Sequence, residues 1–199
     1  MPKRLVFREK QKVDIESFEL DPIADGHVAV ESVVSLISTG TETISFNRRF
    51  DEGTHWDKWV RYPFYPGYST VGRVTDVGPG VDSVSPGDIV ALKRSHASHH
   101  MVPAGACLPV PETMPPDEAS WFALAKIAFM GTRAARYTIG DTCVVIGAGP
   151  IGQMATRWAW ASGVERLVVV DPISERLSYA AGGGATHTIS GSIGECDDD

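Results

Sequence analysis

Three glycines pose the first chemical question. In CVVIGAGPIGQ, Gly147, Gly149 and Gly152 give the spacing G-x-G-x-x-G, and Asp171 follows 19 residues after Gly152. Glycines are common in turns, so the trio alone says little. Here, however, it follows a continuous apolar run, opens a stretch with helical periodicity, and precedes a second apolar run, LVVVD, that ends in Asp171. That context describes a loop that cradles a pyrophosphate. Gly147 would permit the tight turn, Gly149 the approach of backbone amides to phosphate, and Gly152 close packing of helix on strand. The helix N-terminus would add partial positive charge. The loop residues Gly147, Ala148, Gly149, Pro150, Ile151 and Gly152 are therefore the candidate cofactor-binding residues. Asp171 can accept hydrogen bonds from a ribose diol and would repel a 2′-phosphate, which favours NAD over NADP. Arg176 could accommodate such a phosphate and keeps NADP as the second choice.

The elements that must position this loop are legible around it. From Thr142 the chain alternates strand and helix, with CVVIG and LVVVD reading as strands covered on both faces. The helix between them places Ile151, Met154, Ala155, Trp158, Ala159 and Ser162 on one face, with Gln153, Thr156 and Arg157 opposite. A second helix is expected from Ser174 to Ala181, ended by Gly182 to Gly184, and THTIS is expected as a third strand. Up to Pro111, short apolar runs such as HVAVESVVSLI and STVGRVTDVG alternate with turn signals, including Pro86-Gly87-Asp88. Between the halves, Pro115-Pro116-Asp117-Glu118 reads as a helix start, the helix running to Tyr137.

Composition narrows the function classes. The chain has 199 residues, 43% hydrophobic and 22% charged, with a net charge of -7. It carries no basic stripe, which argues against a nucleic-acid partner. Its most apolar helical stretch, WFALAKIAFMG, is too short to span a bilayer and contains Lys126. The opening MPKRLVFREKQK lacks the apolar centre of a signal peptide. Cys107, Cys143 and Cys196 are too scattered for a disulfide framework or a C-x-x-C metal pair. Reduced thiols and a cytoplasmic location are the expectation. Asp197 to Asp199 read as a solvated run. His96, His99 and His100, in SHASHH, have metal-like spacing, but on a strand only His96 and His100 would share a face.

STGTE at Ser38 to Glu42, YPGYSTVGRVTDVG at Tyr65 to Gly78, GVDSVSPGDIV at Gly80 to Val90 and GAGPIG at Gly147 to Gly152 occur in an order that resembles the medium-chain dehydrogenase/reductase superfamily, the relatives of zinc-type alcohol dehydrogenases. The resemblance implies an α/β fold with a β-rich N-terminal domain: a GroES-like irregular barrel with its connecting helix over 1–138, then the first half of a Rossmann doubly wound parallel sheet over 139–199. It implies an NAD(P)-dependent oxidoreductase that transfers hydride between nicotinamide and a small alcohol or carbonyl substrate bound between the domains. In zinc-dependent members a cysteine stands at Thr39, a histidine at Tyr68, commonly an acid at Ser69, and a cysteine or acid near Ile127 or Ala128. This chain has none of these, nor the four-cysteine lobe of a structural zinc. Hydroxyls are poor zinc ligands, so no zinc is expected.

Without zinc, another group must serve the oxygen at the reacting carbon. The resemblance assigns Thr41, in a turn at a strand end, to the hydroxyl that relays protons. It sets Tyr68 beside the same substrate, as a donor to a carbonyl or as an aromatic filling the place of zinc. Glu42, at the position of an aspartate near the metal, is expected to orient backbone, pair with an arginine or act directly. His55, in a loop that lines the substrate entrance in relatives, is the candidate acid-base group, with Trp56 and Trp59 as a pocket wall. STGTE with YPGY is also similar to a metal-free branch that includes bacteriochlorophyllide dehydrogenases. Members of the superfamily are much longer than this chain. The expectation is therefore a fragment whose complete form is a homodimer, with Trp160 facing the remainder. The alternative is a non-catalytic nucleotide-binding or interaction protein derived from the same family.

Overall fold

In the computed structural model the chain forms two compact units, Met1–Phe122 and the residues from Ala123 onward. The structure describes residues 1–192 and 194; Cys196 and the Asp197 to Asp199 run lie outside them. The unit boundary falls inside the connecting segment, with residues 116–122 in the first unit and 123–137 in the second.

The first unit opens with a hairpin of β1 (Lys3–Glu9) and β2 (Lys12–Ser17). After β3 (His27–Ser35) come two short helices, α1 (Thr39–Asn47) and α2 (His55–Trp59), then β4 (Thr70–Val77), β5 (Ile89–Leu92), β6 (His99–Pro103) and β7 (Leu108–Pro109). Strands β3 to β7 form one antiparallel sheet in the order β6-β3-β4-β5-β7. Its core is the inward set Val28, Val30, Val74, Val90, Leu92, Val102 and Cys107. Burying each such aliphatic side chain contributes about 1.5–3 kcal/mol relative to leaving it exposed. Register shifts at Ala29/Val30 and Ser32/Val34 bend β3, as bulges do. At Gly72 a Cβ would fall 2.5 Å from Val30 Cγ1, so β3 and β4 pack there only because the residue is glycine.

STGTE is helical, not a turn. Ser38 is the N-cap of α1, and its amide donates to the Glu42 carboxylate at 2.8 Å, so the side chain closes the helix start. The helix expected to run from Pro116 to Tyr137 is in two pieces, α3 (Pro116–Ala119) and α4 (Phe122–Ala135). Ser69 and Ser120 explain the break. The Ser69 hydroxyl donates to the Ser120 carbonyl, and the Ser120 hydroxyl turns back to the Asp117 carbonyl. Side chains that bond nearby backbone in this way compete with helix continuation.

The second unit continues with β8 (Thr142–Ile146), α5 (Pro150–Ala161), β9 (Arg166–Asp171), α6 (Ser174–Gly182) and β10 (His187–Ser190). Its sheet is parallel in the order β10-β9-β8, one half of a doubly wound arrangement. β9 is buried from Leu167 to Asp171, but β8 is an edge strand, and Val144 and Ile146 are exposed rather than covered. On α5, Thr156 is wholly buried although helical spacing places it opposite the apolar face. Its hydroxyl donates to the Gly152 carbonyl, so it enters the core already satisfied. Trp160, 54% exposed, leans on Gly184, where a Cβ would meet its ring at 2.4 Å. Among the described residues no helix is long and apolar enough to cross a membrane.

The histidines of SHASHH part company. His96 precedes β6 in a bend, and His99 bonds the Ser98 hydroxyl. His100 is buried on β6 with Nε2 3.1 Å from Ser32 Oγ. Because the Ser32 hydroxyl proton already goes to the Ala97 carbonyl, Nε2 of His100 must be the donor. Burial, then Arg94 and His99, lower the His100 pKa from 6.5 to about 4. A depressed histidine leaves stability intact above its unfolded pKa and loses it as pH falls toward the folded value. Thermal melts of the wild type should therefore decline between pH 6.5 and about 4. His100→Gln, which keeps a donor but cannot titrate, should flatten that decline; an unchanged slope would remove His100 as its cause.

Candidate functional site

The glycine loop joins β8 to α5. Gly147 has φ of +90°, a left-handed conformation that makes the tight turn and is strained for any other residue. Its amide donates to the Val170 carbonyl at 2.8 Å, tying the loop to β9. A Cβ on Gly152 would lie 1.8 Å from the Gly147 carbonyl oxygen. The helix thus starts pressed against the loop backbone, with no room for a side chain. Gly149 is the N-cap of α5 and has open space at its Cβ position. Pro150 occupies N1, where no amide is needed. Among the described residues no protein group accepts the amides of Gly149, Ile151 or Gly152. Three free amides at the positive end of a helix are donors of the kind that can receive an anion.

Asp171 closes this arrangement from β9. It is 3% exposed. Its Oδ2 accepts from the Ala148 amide at 2.7 Å and its Oδ1 from the Ile173 amide at 2.8 Å. Burial works to raise its pKa, but the two amides and the Arg176 guanidinium outweigh it and hold the carboxyl below its ordinary value. Arg176 Nη1 stands 3.7 Å from Oδ2 on a half-exposed side chain. Gln153 bridges the loop to α6, its amide donating to the carbonyls of Ala148 and Arg176. Gln153 was read as an outward face residue; its bonds to backbone could not be foreseen from spacing.

The first unit holds a second constellation. The Tyr68 phenol donates to Ser38 Oγ at 2.7 Å, and Ser38 N donates to Glu42 Oε1. Glu42 Oε2 lies 2.9 Å from His96 Nε2, and His96 Nδ1 lies 2.8 Å from Ser35 Oγ. Glu42 and His96 are 8% and 5% exposed. Glu42 therefore both orients backbone and forms an ion-pair geometry, with a histidine in place of the expected arginine. Thr41 lies on the same turn of α1, half-buried, and its hydroxyl has no protein partner among the described residues. His55 is exposed at the start of α2 and stacks on Trp59 with centroids 6.4 Å apart. Trp56 lies 5.5 Å from Trp59, and neither joins the hydroxyl network.

The zinc-ligand positions carry an unsuited donor set. Thr39 is exposed, the Tyr68 hydroxyl is committed to Ser38, and Ser69 is buried with its hydroxyl on the Ser120 carbonyl. Ile127 and Ala128 offer no donor, and no group of three His, Cys, Asp or Glu side chains among the described residues converges on a point. The residues present do not fit a zinc ion.

Residues 29–186 match the family described as alcohol dehydrogenase GroES-like domain. The chain belongs to this family. Its place is thereby in the medium-chain dehydrogenase/reductase superfamily. L-threonine 3-dehydrogenase of Bacillus licheniformis is 30% identical, with 87% of this chain and 58% of that protein covered. Sorbitol dehydrogenase of Rattus norvegicus is 26% identical over 70% of this chain and 48% of its own. The chain thus spans about half the length of the curated relatives it matches. In fold, it is similar to an E. coli alcohol dehydrogenase solved with NADH, at a TM-score of 0.81 and 23% identity, covering 96% of this chain and 63% of that one. That likeness bears out the GroES-like half followed by Rossmann strands.

Gly152→Ala tests the loop geometry. Overpacking a closed site costs about 1–3 kcal/mol, so the variant should be destabilised by that amount and melt earlier, because the Gly147 carbonyl must move. Gly149→Ala, with open space around it, should leave the melt nearly unchanged. Equal effects from the two would contradict the packing described.

Proposed function

We propose that this chain carries the dinucleotide-binding loop and the substrate-oxygen donors of a zinc-independent, NAD-preferring oxidoreductase acting on a small alcohol or carbonyl compound. The single observation that carries the reading is Asp171 locked to the Ala148 amide beside three free amides at the start of α5. Gly149, Ile151 and Gly152 would receive the pyrophosphate by hydrogen bonding. Asp171 has carboxylate lone pairs beyond the two that are used, and these would accept from the adenosine ribose hydroxyls. A 2′-phosphate would face that buried negative charge, which supports NAD, while Arg176 is the cation that would admit NADP.

A bound nicotinamide supplies hydride-transfer chemistry. This chain's own part is to orient the substrate oxygen and hold hydrogen-bond donors near it. Thr41, with an uncommitted hydroxyl, and the Tyr68–Ser38 pair supply those donors, a role hydroxyls fill without a metal. His55 remains a candidate acid-base group at the substrate entrance, and Glu42 a candidate for orienting the donors. The names of the relatives, threonine, sorbitol and xylulose enzymes, support secondary alcohols or their ketones as the substrate class. The poor zinc donor set also supports a second reading, a nucleotide-binding protein without redox activity.

The test uses the full-length gene product. NADH affinity should fall roughly tenfold or more in Asp171→Ala, since a charge-assisted hydrogen bond is worth about 1.5–3 kcal/mol. NADPH should bind more weakly than NADH to the wild type, and chelators should leave alcohol oxidation unchanged. Unaltered NADH affinity in the variant would sink the cofactor assignment. Binding without turnover across a panel of alcohols and ketones would select the second reading, and loss of turnover on chelation would restore a metal.

A further inference from the structure

His96 stands out among the residues to which no role has been given. It is buried and bonded on every side. Its backbone amide donates to the Pro66 carbonyl at 2.8 Å. Its ring packs so closely on Gly67 that a Cβ there would lie 2.8 Å from the ring carbons and 2.7 Å from the His96 amide nitrogen. Gly67 also has φ of +97°, so glycine is required twice over at that position. Because a carboxylate only accepts, Nε2 must carry the proton directed at Glu42, and Nδ1 exchanges a hydrogen bond with Ser35. Glu42 then holds the Ser38 amide, and the Ser38 hydroxyl receives the Tyr68 phenol proton.

These bonds close a ring. It runs from Tyr68 through Ser38, Glu42 and His96 to Pro66, and returns along the backbone through Gly67 to Tyr68. His96 therefore fixes Tyr68 at both ends, by its backbone and by its hydroxyl. Since Tyr68 donates to Ser38, the Ser38 hydroxyl proton is the one left over, and no protein group among the described residues accepts it. A hydroxyl that accepts one hydrogen bond becomes a stronger donor of the next. Two ionisable groups buried side by side contribute little net stability compared with an apolar pair of equal volume. Their effect here is geometric.

We infer that His96 is a positioning residue that, through Glu42, holds the Ser38–Tyr68 hydroxyl pair as the donor unit for the substrate oxygen, with Ser38 as the group that touches it. The inference rests on the oxidoreductase reading above, adds His96 to it and makes Ser38 the contact within the pair.

The experiment is a double-mutant cycle in the full-length gene product, with Tyr68→Phe, His96→Leu and the pair, and with His96→Gln as the variant that keeps a donor toward Glu42. Removing His96 as a leucine should lower kcat about tenfold with KM for NAD unchanged, and should add little in the Tyr68→Phe background, because coupled residues are not additive. His96→Gln should recover most of the loss, and Ser38→Ala should behave like Tyr68→Phe. Additive losses, or a His96→Leu enzyme with normal kcat, would overturn the proposal. Should His96→Leu fail to fold, His96→Gln and Ser38→Ala decide it, since full activity of Ser38→Ala removes the donor unit. A protein that binds NADH but turns over nothing would fail the functional reading instead. The backbone amide resonance of Tyr68 then judges the positioning: it should shift in His96→Leu and return toward the wild-type position in His96→Gln, and an unmoved resonance in His96→Leu would refute the ring.

Discussion

The carbonyl oxygen of Gly147 and the α-carbon of Gly152 set the geometry of the second unit. A Cβ on Gly152 would fall 1.8 Å from that oxygen. The first turn of α5 is thus seated against the loop that feeds it, and the left-handed Gly147 is what turns the chain back from β8. Once helix and loop meet so closely, the amides of Gly149, Ile151 and Gly152 have no acceptor among the described residues, and all lie at the positive end of the helix. Asp171 secures the other side by taking the Ala148 amide. The proposed anion site would thus be a consequence of packing rather than of any charged side chain, in a protein with a net charge of -7.

The first unit uses the opposite strategy. There a buried carboxylate and imidazole, each satisfied by hydrogen bonds, hold the start of α1 and the residues before β4. Glu42 serves as helix-start clasp and as partner of His96 at once, and apart from the local Ser38–Glu42 clasp the side-chain bonds in the set join segments far apart in sequence. Such a network fixes hydroxyl positions with little freedom, which is what donors to a reacting oxygen require. The hydroxyl-rich composition that makes the site unsuited to zinc is the same composition that builds this network.

Periodicity and turn chemistry carried much of this fold. Gly147, Gly149, Gly152 and Asp171 could be read because each answers a local demand of backbone conformation or helix geometry, and β8, β9, α6 and β10 lie where apolar runs and glycines place them. Local reading failed where a distant partner decides. Thr156 is buried because its hydroxyl finds the Gly152 carbonyl, and α3 and α4 separate because Ser69 reaches Ser120. Val144 and Ile146 are exposed because the described sheet holds one half of the doubly wound arrangement and ends at β8. His96 was hidden most thoroughly. In SHASHH the spacing pairs it with His100 on one strand face, and only the fold brings Glu42, 54 positions away, against its ring. The glycine beside Tyr68 was the one sequence trace of that contact.

The most direct test of the nucleotide grip follows backbone amide resonances of the protein during titration with NADH. The amides of Ala148, Gly149, Ile151 and Gly152 should shift together and saturate at a single affinity, with Ile173 responding through Asp171. NADH binding that leaves those amides unmoved, or no binding at saturating concentrations, would contradict the account.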